Sequence, residues 1–180
     1  MKKKLKIATT LIIFISFGWF AYTNLYPDQN LRRYSVYYAH NMEHKEGTHP
    51  EMAMALENIK AIRTPASRGI RYDYDGLAKV YNDRNNGNSH SICATYVYGV
   101  EYLYSNSKDR SYIFNSDFSL KAIYNSNTAK MEYEKSDIDE EELYKEVYNN
   151  FGFLVEANVN RKPLINMQKE FNKKYYKRFN

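Results

Sequence analysis

The sequence predicts an α+β protein: a single N-terminal transmembrane helix followed by an antiparallel β-meander domain with flanking helices. Three observations lead there. An uncharged, mostly apolar run from Ile7 to Tyr26 follows Lys2, Lys3, Lys4 and Lys6. Turn residues recur through the centre of the chain at Ser105-Asn106-Ser107, Asn115-Ser116-Asp117 and Asn125-Ser126-Asn127. Apolar residues at helical spacing flank that centre on both sides.

The first element is a membrane anchor. At ~1.5 Å rise per residue, the run up to Pro27 covers about 30 Å, the thickness of a hydrocarbon core. Trp19, Tyr22 and Tyr26 sit where an aromatic belt meets the outer interface. A cleaved signal peptide shares this pattern, but its cleavage site wants small residues. Ser16-Phe17-Gly18 would cut inside the apolar run, and Ala21-Tyr22-Thr23 fits poorly. The expected division is residues 1–27 as cytoplasmic stub and uncleaved signal-anchor, and residues 28–180 as one extracytoplasmic domain. The lysines hold the N-terminus in the cytoplasm, so the protein is a single-pass protein of a bacterial cytoplasmic (inner) membrane. Its C-terminal domain is periplasmic or extracellular.

Charge and cysteine usage narrow the classes. The net charge of +5 divides into +4 on the first lysines and +6 on residues 161–180, leaving −5 between them. An exported, mildly acidic body with a basic tail argues against nucleic acid as a partner. The single cysteine, Cys93, excludes an internal disulfide framework, so the fold stands on packing. Tyrosine occupies 19 of 180 positions. Two explanations fit that excess: a bias toward AT-rich codons, or a binding face that uses rigid aromatic area.

Residues 28–64 read as a helical pair. Leu31, Tyr34, Tyr38 and Met42 form one stripe over Asp28 to Glu46, with Gly47 as the C′ glycine. Thr48-His49-Pro50-Glu51 has the form of a capping box with Pro in the first turn. Met52, Leu56, Ile59 and Ile62 form the second stripe, stopped by Pro65. Gly76 to Tyr81 reads as a short helix capped by Asp75, and Asn82 to His90 as a loop. Antiparallel strands are expected over 91–134. The first runs from Ser91 to Tyr104 and is apolar on both faces, so it should be central or covered. Phe118, Leu120, Ala122 and Tyr124 alternate with more polar residues, as do Ala129, Met131 and Tyr133, which gives one buried face and one wet face. A helix over 137–151 opens at Asp137, loads its first turn with Asp139, Glu140, Glu141 and Glu142, and buries Leu143, Val147 and Phe151. Phe153 to Val159 reads as a strand. The last helix, 163–179, starts at Pro163 with Leu164, Met167, Phe171, Tyr175 and Phe179 on its apolar side.

Few constellations carry chemistry. His40-Asn41-Met42-Glu43-His44 matches H-x-x-E-H. On a helix, His40 and His44 would face the same way and hold Zn²⁺, with Glu43 activating the bound water. No third ligand is identifiable. His90 and Cys93 are three residues apart, but an apolar strand cysteine is ordinarily buried and inert. Asp73-Tyr74-Asp75-Gly76 is a turn without the spaced oxygens of a calcium loop. The charged side of the last helix, Lys169, Lys173, Lys174, Lys177 and Arg178, is the expected binding surface. It would meet anionic lipid, an acidic partner, or the acidic helix of the same molecule.

The functional expectation is a non-enzymatic, membrane-anchored, extracytoplasmic protein-binding domain without a cofactor. Its partner is another envelope protein or an incoming one, and the membrane is contacted through residues 7–26. An accessory subunit of an envelope complex and a toxin-immunity or exclusion factor both fit. The alternative is a membrane-tethered, zinc-dependent hydrolase using His40, Glu43 and His44.

Overall fold

Among the described residues, seven strands form one antiparallel sheet whose spatial order is the order of the chain. A computed structural model describes residues 2–85, 88–96, 99–106, 110–125, 130–132 and 138–180. The strands are β1 (Ile70–Asp73), β2 (Lys79–Asn85), β3 (Asn88–Thr95), β4 (Glu101–Ser105), β5 (Arg110–Phe114), β6 (Leu120–Asn125) and β7 (Lys130–Glu132). The expected meander is present, and the turn at 115–117 lies where turn chemistry put it. The turns at 105–107 and 125–127 lie partly outside the described residues, as do Ala129, Tyr133, Glu134 and Asp137.

Register sorts the side chains into two faces. Val80 pairs with Ile92, Ile92 with Tyr104, and Tyr104 with Tyr112. Ala94, Tyr102 and Phe114 make a second row on the same face. This face meets the helices, and Ile92, Tyr102, Tyr104 and Phe114 are fully buried there. Cys93, one residue out of phase, is also buried, and β3 lies inside the sheet between β2 and β4. The tyrosines of this face are core residues. The two fully buried phenols fit because each finds a partner: Tyr104 Oη donates to Glu146 at 2.6 Å, and Tyr102 Oη donates to Glu57.

Three strand assignments differ from the sequence reading. Residues 79–81 are strand rather than helix, residues 82–90 are largely the β2–β3 hairpin rather than a loop, and residues 91–104 form two strands that reverse around Gly99. The hairpin hides behind its polarity. Asn82 is buried, and its Nδ2 donates to Asn150 O at 2.9 Å, so a polar residue occupies an inward strand position with its hydrogen bonds satisfied. Gly99 has φ 109°, a conformation open to glycine, and it turns a run that looks continuous.

The helices are α1 (Lys2–Leu25), α2 (Pro27–Arg33), α3 (Ser35–His40), α4 (Pro50–Glu57), α5 (Glu140–Phe151), α6 (Phe153–Val159) and α7 (Gln168–Phe179). The stretch Ile7–Leu25 of α1 is long and apolar enough to cross a membrane. Its large side chains face outward along most of its length. Its last turn is different. Thr23 and Asn24 are buried, and Asn24 Oδ1 accepts from Tyr34 Oη at 3.4 Å. Asn30 Nδ2 donates to Asn24 O at 3.3 Å and to Ile165 O at 3.1 Å. Tyr38 Oη donates to Asn30 Oδ1 and accepts from Met167 N at 3.1 Å. This polar joint ties α1, α2, α3 and the segment before α7 together.

The expected helix over 28–46 is bent and short. At Tyr34 the backbone departs to φ −113°, although the i→i−4 hydrogen bonds continue across it. The helix ends at His40 because the polar run that follows has little to bury. Lys45 N instead donates to Phe179 O at 2.8 Å and satisfies a carbonyl at the end of α7. Gly47, with φ 80°, serves the turn from Lys45 to Thr48 and not the helix end. The capping box does not form: Thr48 Oγ1 donates to Lys45 O, and Glu51 pairs with His40. α4 stops at Glu57, where Asn58 turns its own amide back to Met54 O at 3.0 Å. Ile59 and Ile62 are buried beyond the helix end.

The C-terminal third needs similar corrections. α5 is capped by Asp139, which accepts from Glu142 N at 3.0 Å, so it begins later than Asp137. Leu143, Val147 and Phe151 are buried as expected. Gly152 ends α5 as its cap but keeps right-handed helical dihedrals, so the chain runs on at once into α6, and Phe153–Val159 is helix rather than strand. Leu154 and Asn158, four apart, both face inward, and Asn158 holds Arg63 through Arg63 N (2.9 Å) and Arg63 O (2.8 Å). α7 starts at Gln168 and not at Pro163, because Ile165 O and Met167 N are committed to the polar joint. Leu164 is exposed, whereas Phe171 and Phe179 are fully buried.

Candidate functional site

The H-x-x-E-H match does not make a helical face. α3 ends at His40, with Asn41 as its cap, so Glu43 and His44 lie in irregular chain. His40 Nδ1 is 3.1 Å from Glu51 Oε1. His44 Nδ1 is 3.1 Å from Thr48 Oγ1. Glu43 contributes its backbone carbonyl to Asn180 Nδ2 at 2.8 Å. The premise that His40 and His44 share an i, i+4 face is therefore corrected. Among the described residues, no three His, Cys, Asp or Glu side chains are grouped to hold a metal ion.

Cys93 and His90 lie at opposite parity on β3 and so on opposite faces. Burial pushes the Cys93 thiol up, with Lys79 opposing, which disfavours a thiolate nucleophile. His90 Nδ1 is 2.8 Å from Tyr104 Oη. Because Tyr104 donates its proton to Glu146, its oxygen is left to accept from His90. Burial, and then the hydrogen bond to Glu146, raise the Tyr104 phenol far above its ordinary value. It is a fixed donor and not a proton shuttle at neutral pH. His90 and Glu146 line a cleft of about 1200 Å³ between α5 and the sheet. Asp139, Glu142, Arg110 and Lys145 also line it, and none of these groups is a nucleophile beside a base.

Arg178 is removed from the expected lysine surface. Its side chain is 16% exposed, and the guanidinium pairs with Glu57, whose side chain is 13% exposed. It also meets Tyr102 Oη, and its Nε donates to Ser116 O at 2.6 Å. Tyr102 in turn donates to Glu57. Burial is the largest influence and opposes the Arg178 charge, but the hydrogen bond to Glu57 together with the nearby Tyr102 phenol and Glu57 carboxylate outweighs it and raises the pKa above the usual guanidinium value. Lys169, Lys173, Lys174 and Lys177 are exposed on α7.

Next to this ion pair lies a second groove, about 390 Å³ in volume. Gln29 and Arg32 of α2, the end of α4 and the chain after it from Leu56 to Ala61, the β1–β2 turn, Ala94 and Tyr96 bound it. Leu77 and Tyr96 are 45% and 55% exposed, unusual for large side chains outside α1. Gly76, with φ 70°, lets the turn reverse, and Lys60 Nζ donates to Tyr74 O at 3.1 Å to hold it. Burial raises the Tyr96 phenol, as does the nearby Glu57 carboxylate. An apolar centre with Arg32 and Lys60 at its edge has the composition of a protein-binding patch. It can grip a side chain and orient a carboxylate, but it holds no bond-breaking set.

Sequence reasoning missed Glu57, Arg32, Leu77 and Tyr96. One signal was available: Leu77 directly follows Asp75-Gly76, and a large apolar residue on a tight turn has little core within reach. The Glu57–Arg178 pairing had none, since 121 positions separate the two. Comparison with protein-family models, curated proteins and solved structures finds no match.

Proposed function

We propose that this chain is a membrane-held, non-enzymatic binding domain facing away from the cytoplasm. Its Leu77–Tyr96 groove would take an apolar segment with acidic neighbours from another envelope protein or an incoming one. The observation that carries the reading is the exposure of Leu77 and Tyr96 in a groove edged by Arg32 and Lys60. The lysines before Ile7 support the orientation. The exposed α7 lysines supply longer-range attraction for an acidic partner. Both an accessory subunit of an envelope complex and an immunity or exclusion factor would use such a groove. The zinc-hydrolase alternative requires His40, Glu43 and His44 on one helix, and α3 stops at His40.

The test is the double substitution Leu77→Asp and Tyr96→Ala in the full-length protein. Recovery of the partner from native membranes should fall at least about tenfold, the effect of losing about 1.4 kcal/mol at a binding hot spot. The unfolding midpoint should stay unchanged, because both side chains lie outside the core. Undiminished recovery would remove the groove from the function.

A further inference from the structure

A third pocket, about 500 Å³, lies between α1 and the body of the protein. Ser16, Trp19, Phe20, Thr23 and Asn24 form its α1 side. Arg33, Tyr34, Lys162, Pro163 and Leu164 form the other. Leu164 is 68% exposed at the tip of the segment between α6 and α7. The polar joint fixes this segment to α1, since Asn30 bonds both Asn24 O and Ile165 O.

That placement sets a depth. At ~1.5 Å per residue, Trp19 and Phe20 lie about 8–9 Å before the end of α1 at Leu25. The apolar stretch Ile7–Leu25 has 19 residues, only just enough for a hydrocarbon core. If the membrane ended at Trp19 to spare Leu164, the remaining 13 residues of the stretch would be too short to cross. A bilayer spanned by α1 therefore reaches the level of Leu164.

The charges around the tip fit the same level. The Arg161 and Arg33 guanidiniums sit 5.3 Å and 5.8 Å from the centre of the Tyr34 ring. Lys162 adjoins them. Among the described residues none of the three has an acidic partner within 4.0 Å. Burial, and then Arg33, pull the Arg161 pKa down. Clustered cations without a counter-charge call for an anion, and long cationic side chains beside a lipid-facing leucine reach naturally to head groups.

We propose that the 161–164 segment is a second membrane contact, seating Leu164 among acyl chains while Arg33, Arg161 and Lys162 engage the phosphates of anionic lipid. The proposal rests on α1 being a membrane span, and its test separates the two. The full-length protein, with Cys93 changed to Ala, is reconstituted in phosphatidylcholine vesicles with and without phosphatidylglycerol. A nitroxide label is placed in turn at Leu164→Cys, Phe14→Cys and Tyr176→Cys, and its accessibility to an aqueous relaxant is measured. Positions 14 and 164 should be shielded severalfold relative to position 176, with position 164 shielded more when phosphatidylglycerol is present. A label at 164 as accessible as that at 176, with 14 shielded, overturns the second contact and leaves the span standing. Accessibility at 14 as well would sink both. Changing Arg33, Arg161 and Lys162 together to Gln should abolish the phosphatidylglycerol effect, and the charge-preserving pair Arg33→Lys and Arg161→Lys, with Lys162 kept, should preserve it. An effect that survives the Gln substitutions overturns the head-group assignment.

Discussion

Arg178→Ala is expected to destabilise the protein by about 3 kcal/mol, the range seen when one partner of a buried ion pair is removed. The cost comes from what remains. Glu57, largely buried in the intact protein, would be left beside the Tyr102 phenol without its guanidinium partner. Ser116 O would lose the closer of its two donors, Arg178 Nε at 2.6 Å, and keep Tyr102 Oη at 3.3 Å. The apolar double substitution Glu57→Leu with Arg178→Met should cost much less than Arg178→Ala, since both charges are removed together. Denaturant midpoints of the three proteins provide the check. A loss below about 1 kcal/mol for Arg178→Ala would mean that the pair is solvated like a surface salt bridge.

Phe118→Ala should cost about 3–5 kcal/mol, the range for emptying a buried phenylalanine site. Phe118 is fully buried and stacked on Phe114 at 4.6 Å between ring centres. It also has φ 68°, a left-handed conformation that non-glycine residues enter at a cost of roughly 1–2 kcal/mol. The structure holds it there from both sides: Phe118 N donates to Asn115 O at 2.9 Å, and Phe118 O accepts from Tyr144 Oη at 3.2 Å. Phe118→Gly should therefore be more stable than Phe118→Ala by about 1 kcal/mol, although it removes more atoms. The opposite order would show that the turn relaxes when the ring is gone.

The later part of the sheet was legible because its strands alternate and turn residues separate them, whereas β1, β2 and the break between β3 and β4 were not. The helical stripes were legible as burial: Ile59, Val147, Phe151 and Phe171 are all inside. Their limits were not, because tertiary hydrogen bonds set them. Lys45 leaves the helix to reach Phe179 O, and Ile165 O stays out of α7 to meet Asn30. Polar residues misled where a distant partner satisfies them, as Asn150 does for Asn82. Phe153–Val159 misled for the opposite reason, since so short an apolar run fits a strand or a helix equally well. The basic tail was correct as composition, but one of its members, Arg178, belongs to the interior. Local spacing cannot reveal that.

The most direct measurement places a photocrosslinking residue at Leu77 of the full-length protein in its native membrane, with Tyr176 as the comparison site. Both side chains are exposed, but only Leu77 lines the groove. The account predicts a discrete crosslinked protein from position 77, absent from position 176 and lost when Tyr96 is changed to Ala. Equal crosslinking from both positions, or crosslinks from position 77 to lipid alone, would contradict a protein-binding groove.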